Sequence, residues 1–319
     1  MDRIVAVTGA SGFVGRHACA ALADRGWTVR RVVRPGRSTV AGDLHGDAVE
    51  IPSLDDGRAL ERAFAGTHAV LHLAGLAHAI PAPPEALYRA VNAAGTRRAA
   101  TAAAAVGVRR FVLVSTIKVN GERTAGRPFE SSDAPAPQDA YARSKLEAES
   151  ALEQVASSTG MEWAVVRPPL VYGPGVRANF ERLVRVVQHG WPLPLASIEN
   201  RRTMVGVWNL ADLLGRVLEH PGASGRVFLA GDDRPVSTPG LIRLIARALG
   251  RPARLLRCPV PWLEAAGRAA GRRELVARLV ESLEVSTAAA AHELDWGPPV
   301  PVEQGVARTV HSMTAGNPA

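Results

Sequence analysis

A doubly wound parallel α/β sheet with a second, smaller α/β lobe is the fold class this 319-residue chain predicts, and three observations predict it. An apolar run from Ile4 to Val7 leads into Gly9, Gly12 and Gly15, then into a helical pattern from Arg16 to Arg25. Short apolar segments alternate with helix-patterned ones as far as about Pro168, the rhythm of parallel strands joined by crossover helices. Beyond RPPLVYGPG the chain becomes irregular and proline-rich, as expected of a lobe that holds a substrate.

Taken in order, strands are expected at Ile4 to Val7, Val29 to Val33, Ala69 to Leu73, Phe111 to Val114 and Trp163 to Arg167. The alanine-rich stretch RRAATAAAAVGV between the third and fourth reads as a buried crossover helix. A dinucleotide-binding unit is expected over 1–168 and a substrate lobe over 169–319. RTMVGVWNLADLL and RVFLAG, within about 203–231, read as a strand, helix and strand that return to the main sheet. No internal repeat is apparent.

The strand, glycine turn and helix start at residues 4–16 carry a specific physical meaning. Glycines let the backbone approach a pyrophosphate, and the helix N-terminus turns its partial positive charge toward it. This is the Rossmann cradle, so a dinucleotide cofactor is expected there.

A second signal comes from lysine usage. The chain holds two lysines among 38 basic residues, and one of them, Lys145, follows Tyr141 by four positions in DAYARSKLEAE. One helical turn puts both side chains on one face. A retained lysine suggests a site that needs a compact ammonium. A phenol titrates near pH 10 in water, and a fixed cation beside it is expected to lower that value toward the range where acid–base catalysis is efficient.

Composition narrows the class. Apolar residues make up 47% and mean hydropathy is +0.02, as for a globular enzyme with a core in each part. Cys19 and Cys258 are too few for a disulfide framework or a zinc site, so no metal and a reducing, cytoplasmic setting are expected. No apolar run approaches a membrane span, and the start of the chain enters its first strand without a signal-peptide pattern. A net charge of +8 with pI about 10.5 raises a nucleic-acid partner, but the arginines are scattered and aromatics are only 5%. A solvated arginine-rich surface is the expectation.

TGASGFVG, HLAG, VNAAGT, VSTIKVNG, YARSK and RPPLVYGPG, in that order, resemble the extended short-chain dehydrogenase/reductase family, the NAD-dependent epimerase/dehydratase group, over nearly the full length. The resemblance implies Tyr141, Lys145 and Thr116 as the catalytic set. Thr116 would bond the substrate oxygen, and Lys145 would hold the nicotinamide ribose and tune the phenol. Gly9, Gly12, Phe13, Val14, Gly15, Arg34, Ala74, Gly75, Asn92, Tyr141, Lys145 and Pro168 would meet the cofactor. Ser115 is the spare hydroxyl, read as a strand-end cap. Family members that use NAD place an acidic residue at the end of the second strand; this chain has Val33 and Arg34 there, which implies NADP(H) over NAD(H), helped by Arg37 and Ser38. Ser53 stands where the family usually shows an adenine-contacting aspartate.

For the second lobe the resemblance is to UDP-sugar binders. Asn179, Phe180 and Arg202 match positions that hold the diphosphate, with Arg278 as a weaker match, and Lys118 and Asn120 are placed in the sugar pocket. The stretch WLEAAGRAAGRRELVARLVESL is basic and amphipathic; the family places a lid or surface helix there, in preference to a membrane-surface helix. ELDWGPPVPVEQGV resembles the family's closing segment, so a complete single enzyme is expected, and a homodimer by analogy.

STIKVNGE, RPFESSD, AYARSKLEAE and NRRTMV are most similar to bacterial UDP-N-acetylquinovosamine dehydrogenase and UDP-glucose 4-epimerase-like proteins of polysaccharide biosynthesis. They imply a reductase acting on the C4 ketone of a UDP-4-keto-6-deoxy-hexosamine, with a UDP-hexose 4-epimerase holding NAD as the alternative. Ile117 and Lys118, standing where a 4,6-dehydratase has an aspartate and a glutamate, disfavour that branch. The Tyr, Lys and Thr set disfavours a non-catalytic sensor.

Overall fold

The computed structural model describes residues 3–36, 47–77, 82–176 and 179–315. Strand β1 (Ile4–Thr8) runs into helix α1 (Phe13–Asp24), followed by β2 (Thr28–Val33), β3 (Ala48–Glu50), α2 (Gly57–Phe64) and β4 (Ala69–His72). Then come α3 (Glu85–Tyr88), a π-helical turn over Arg89–Ala94, α4 (Gly95–Ala105), β5 (Arg110–Val114), α5 (Ala140–Thr159) and β6 (Glu162–Arg167). Each expected strand is present within a residue of its expected bounds. Helix α1 starts three residues earlier than its apolar pattern suggested, because Gly12 acts as its N-cap.

These strands form one parallel sheet ordered β3-β2-β1-β4-β5-β6, to which β9 (Arg226–Leu229) adds an edge beside β6. The chain builds outward from β1 to β3 and then returns to lay β4 on β1's other side. That reversal opens a crevice at the carboxyl ends of β1 and β4, where open α/β sheets bind ligands.

Both faces are covered, as a parallel sheet requires. Val5, Val7, Leu71 and Val112 pack on one face with Leu22 of α1 and Leu210 and Leu214 of α7 (Val207–Glu219). Ala6, Val70, Phe111 and Leu113 pack on the other with Leu60 of α2, Ala99 and Ala103 of α4, and Ala148 and Leu152 of α5. Alanines at the α4 contacts let that helix sit close to its neighbours, which explains the alanine-rich sequence there.

A second core gathers β7 (Leu170–Tyr172), α6 (Asn179–His189), β8 (Met204–Gly206), α8 (Thr238–Ala248) and α12 (Val302–Ala315) through Tyr172, Phe180, Val184, Ile242, Ile245, Val302 and Val306. β7 and β8 pair as a separate parallel ribbon, so of the two strands expected to return to the main sheet only β9 does. Asp232 ties this ribbon to its surroundings, accepting from the Tyr172 hydroxyl (2.6 Å), Gly206 N (2.8 Å) and Asn209 Nδ2 (2.7 Å). α9 (Val260–Ala269) and α10 (Arg273–Val280) form a hairpin on the periphery, and α11 (Ala288–Leu294) packs near β9.

Candidate active site

At the β1–α1 turn, Gly9 has a φ of +69°, and a Cβ there would stand 2.8 Å from Ala74 N. A Cβ on Gly15 would overlap the Gly9 carbonyl oxygen and come within 2.8 Å of Ala10 Cα. Only glycine fits either place. The Gly12 N-cap has no side chain to bond the first amides of α1, and no acidic residue occupies the first turn. The helix therefore presents bare N–H groups and the positive end of its dipole to the crevice, which suits an anion.

From that turn a cavity of about 380 Å³ runs along the sheet edge, lined by Gly9, Gly12, Phe13, Val14 and Gly15 at one end and by Thr116, Tyr141, Lys145 and Pro168 at the other. Gly75 and Asn92 also line it. Asn92, on the π-helical turn, braces the β4 exit: Oδ1 accepts from Leu76 N (2.8 Å), and Nδ2 donates to Leu76 O (3.1 Å) and Ser144 Oγ (2.9 Å). Ala74 is held by its N–H to Thr8 Oγ1 (3.2 Å).

Asp139 caps α5, accepting from Ala142 N (2.7 Å), and so sets the register that brings Tyr141 and Lys145 to the cavity. Thr116 stands after β5 and hydrogen-bonds the Tyr141 phenol. Lys145 Nζ donates to the Val114 carbonyl (2.8 Å). Behind them, Glu149 forms a buried pair with Arg167 (2.6 Å), which also donates to Asn120 Oδ1 (2.9 Å). Among the described residues, the buried side-chain polar atoms without a partner are His72 Nε2 and Ser115 Oγ. Ser115 lines the cavity, but its Oγ is buried and bonds no group among the described residues, so it does not make the strand-end cap expected of it.

The electrostatics correct one expectation. Burial pushes the Tyr141 phenol up to about 12; the Thr116 hydrogen bond opposes this, and the charge of Asp139 adds to it. Burial also brings the Lys145 ammonium down to about 8, against the pull of Glu149. The local sequence showed the cation but not the desolvation, which is the largest cause of the shift, and the Thr116 hydrogen bond rather than the Lys145 charge is what opposes it. His72 is fully buried and held neutral, pushed down to about 3 by burial and by the Lys145 charge. Its Nδ1 lies 2.8 Å from Thr8 Oγ1.

Other sequence-derived positions lie apart from this cavity. Lys118 lies between Asp139 (2.6 Å) and Glu122 (2.9 Å), so its ammonium is committed to two carboxylates. Asn120 is buried against Arg167 and the Glu130 carbonyl. Phe180 is in the second core, stacked on Tyr172 with ring centroids 5.5 Å apart, so its side chain serves packing. Asn179 opens α6 and is exposed. Arg202 donates from Nη1 to the carbonyls of Arg278 and Glu281 (both 3.1 Å), and no carboxylate pairs with it among the described residues. Arg278 forms a loose pair with Glu274 at 3.9 Å. Arg34 is exposed just past β2, Ser53 bonds Asp55 N (3.0 Å), and Arg37 and Ser38 lie outside the described residues.

Tyr88 was missed by sequence reasoning: it is buried, with its ring centroid 5.9 Å from that of Tyr141. An aromatic four residues before Asn92 carries no local sign that it meets the α5 tyrosine. Asp139 was missed too, although an Asp directly before a helical pattern is a capping signal.

The two cysteines are free, and burial pushes the Cys19 thiol up to about 12. Among the described residues no helix is long and apolar enough to cross a membrane, and no cluster of three metal-ligating side chains occurs.

Comparison with known proteins agrees with this geometry. The model of the NAD dependent epimerase/dehydratase family matches residues 5–231. A UDP-glucose 4-epimerase of Vibrio cholerae is 37% identical, with 99% of this chain and 97% of that protein covered. A ceramide reductase of Caulobacter vibrioides is 33% identical over 95% of this chain and 89% of its own length. The solved UDP-glucuronic acid 4-epimerase of Bacillus cereus, in complex with NAD, shares the fold with a TM-score of 0.78 at 19% identity, covering 98% of this chain and 99% of its own. This chain is therefore an enzyme of the NAD-dependent epimerase/dehydratase family.

Proposed function

We propose that this enzyme transfers hydride between a nicotinamide dinucleotide and C4 of a UDP-linked sugar, reducing the ketone of a UDP-4-keto-6-deoxy-hexosamine. The observation that carries the reading is the placement of the Tyr141 phenol, hydrogen-bonded to Thr116, in the same cavity as the glycine turn. The cradle fits the cofactor: glycines that no side chain can replace and bare helix amides for the pyrophosphate. When bound, the nicotinamide supplies the hydride.

The protein's own residues manage the proton. With its pKa raised, Tyr141 stays protonated at neutral pH and can give its proton to the alkoxide that forms as C4 is reduced. Thr116 donates a second hydrogen bond to that oxygen. Lys145, anchored on the Val114 carbonyl in the same cavity, would hold the ribose hydroxyls of the bound dinucleotide with its ammonium. The balance is a ketone, a hydride and a proton giving a secondary alcohol, with the dinucleotide oxidised. Arg202, not paired with any described carboxylate, and Asn179 at the start of α6 are the groups we assign to the diphosphate. Arg34 in place of an acidic residue after β2 supports NADP(H).

A second reading, the UDP-hexose 4-epimerase, is favoured by the full-length resemblance to the Vibrio cholerae protein. It uses the same residues, with hydride leaving and returning at C4. The test is to purify the enzyme, identify any retained nucleotide, and follow NADPH and NADH oxidation on adding UDP-4-keto-hexosamines. Stoichiometric oxidation with formation of the C4 alcohol supports the reductase. Interconversion of UDP-glucose and UDP-galactose without net oxidation supports the epimerase. Inertness toward both substrate classes overturns both.

A further inference from the structure

The α9–α10 hairpin has an apolar face that the fold leaves uncovered. No side chain of α10 is buried, and in α9 only Gly267 is, where Val276 packs against it and holds the two helices together. Trp262 is 71% exposed and Leu275 44%. The segment leading into α9 continues the feature: Leu193 bridges Leu255, and Leu256 beside it is 54% exposed, with Trp191 at 62% two residues before the bridge. None of these side chains lines the cofactor cavity. Leu263, Val276, Leu279 and Val280 are half-buried, whereas Trp262 and Leu275 stand exposed, more apolar surface than a lid alone needs to leave in water.

The same stretch is strongly basic. Residues 251–280 hold seven arginines and two glutamates, a net of +5 where the whole protein carries +8. Arg254, Arg257, Arg268, Arg272 and Arg273 are exposed. Both glutamates sit on helices one turn before an arginine, at loose separations of 3.7 and 3.9 Å. Exposed tryptophan and leucine interleaved with exposed arginine is the composition of a surface that lies in a membrane interface, with indole at the headgroup level and guanidinium groups on anionic lipid.

We propose that this hairpin and the adjoining 254–258 segment dock the enzyme peripherally on an anionic lipid bilayer, with Trp262, Leu256 and Leu275 entering the interface and the arginines meeting lipid phosphates. The charge complementarity selects this occupant over a neutral partner. The role is separate from the sugar chemistry and stands or falls without it.

The experiment is co-sedimentation of the full chain with vesicles of mixed phosphatidylglycerol and phosphatidylcholine, against vesicles of phosphatidylcholine alone. Binding to the anionic vesicles is expected, weakening as salt rises from about 0.1 M to about 0.5 M. Trp262→Ala with Leu256→Ala is expected to lower the partition coefficient at least about tenfold, and Arg272→Gln with Arg273→Gln to flatten the salt dependence. Thermal melting and nucleotide binding of both variants should match the parent, which separates docking from misfolding. Absence of sedimentation with anionic vesicles overturns the proposal, as does equal binding by the Trp262/Leu256 variant. A patch that instead holds a second copy, seen as a dimer lost in that variant with no vesicle binding, or that binds only RNA, overturns it equally.

Discussion

His72 offers a pH test of how the cofactor floor is held. The side chain is fully buried at the end of β4, its imidazole bonded to Thr8 and its Nε2 without a partner. Its ordinary value of 6.5 is pushed down to about 3. Between those values the unfolded chain binds a proton that the folded one refuses, so stability is full above about 6.5 and falls as pH drops toward 3. At about 1.4 kcal/mol per pH unit, moving from pH 8 to pH 5 costs about 2 kcal/mol, and reaching pH 4 about 3 kcal/mol. The perturbation is His72→Leu, which removes the titration and keeps an apolar side chain in the site. Urea midpoints for parent and variant at pH 8, 6.5 and 5 isolate the effect, because every other titrating group is common to both. The variant starts lower by a pH-independent amount for the lost Thr8 bond, and the gap should close by about 2 kcal/mol at pH 5. Parallel profiles would refute the reasoning, since they would mean that the imidazole is protonated inside the fold at no cost.

Tyr141→Phe should lower turnover by about 10² to 10⁴ while leaving nucleotide affinity nearly intact, measured by steady-state rates and by fluorescence titration with NADPH. Gly15→Ala should abolish nucleotide binding and destabilise the fold by about 1–3 kcal/mol, because its Cβ meets backbone that has no room to yield. Arg167→Met strands the Glu149 carboxylate in the core and should cost about 3–5 kcal/mol in urea melts, whereas Arg167→Met with Glu149→Leu should recover most of it. A double variant as unstable as the single one would show that the pair is not what the site depends on.

What the sequence determined by itself was local and periodic. The apolar strands, the Gly9, Gly12 and Gly15 turn and the four-residue step from Tyr141 to Lys145 each follow from neighbours along the chain, and together they place a dinucleotide cradle and an acid–base pair on adjoining elements. Tertiary structure decided the rest, because desolvation and pairing depend on what arrives from elsewhere in the chain. Burial of the Tyr141 side chain raises its phenol instead of lowering it. Asp139, 21 residues on, claims the Lys118 ammonium that the sequence had placed in a sugar pocket. Phe180 was drawn into the second core by Tyr172. An apolar or charged residue announces its preference in the sequence, but which partner satisfies it is settled only when distant elements pack.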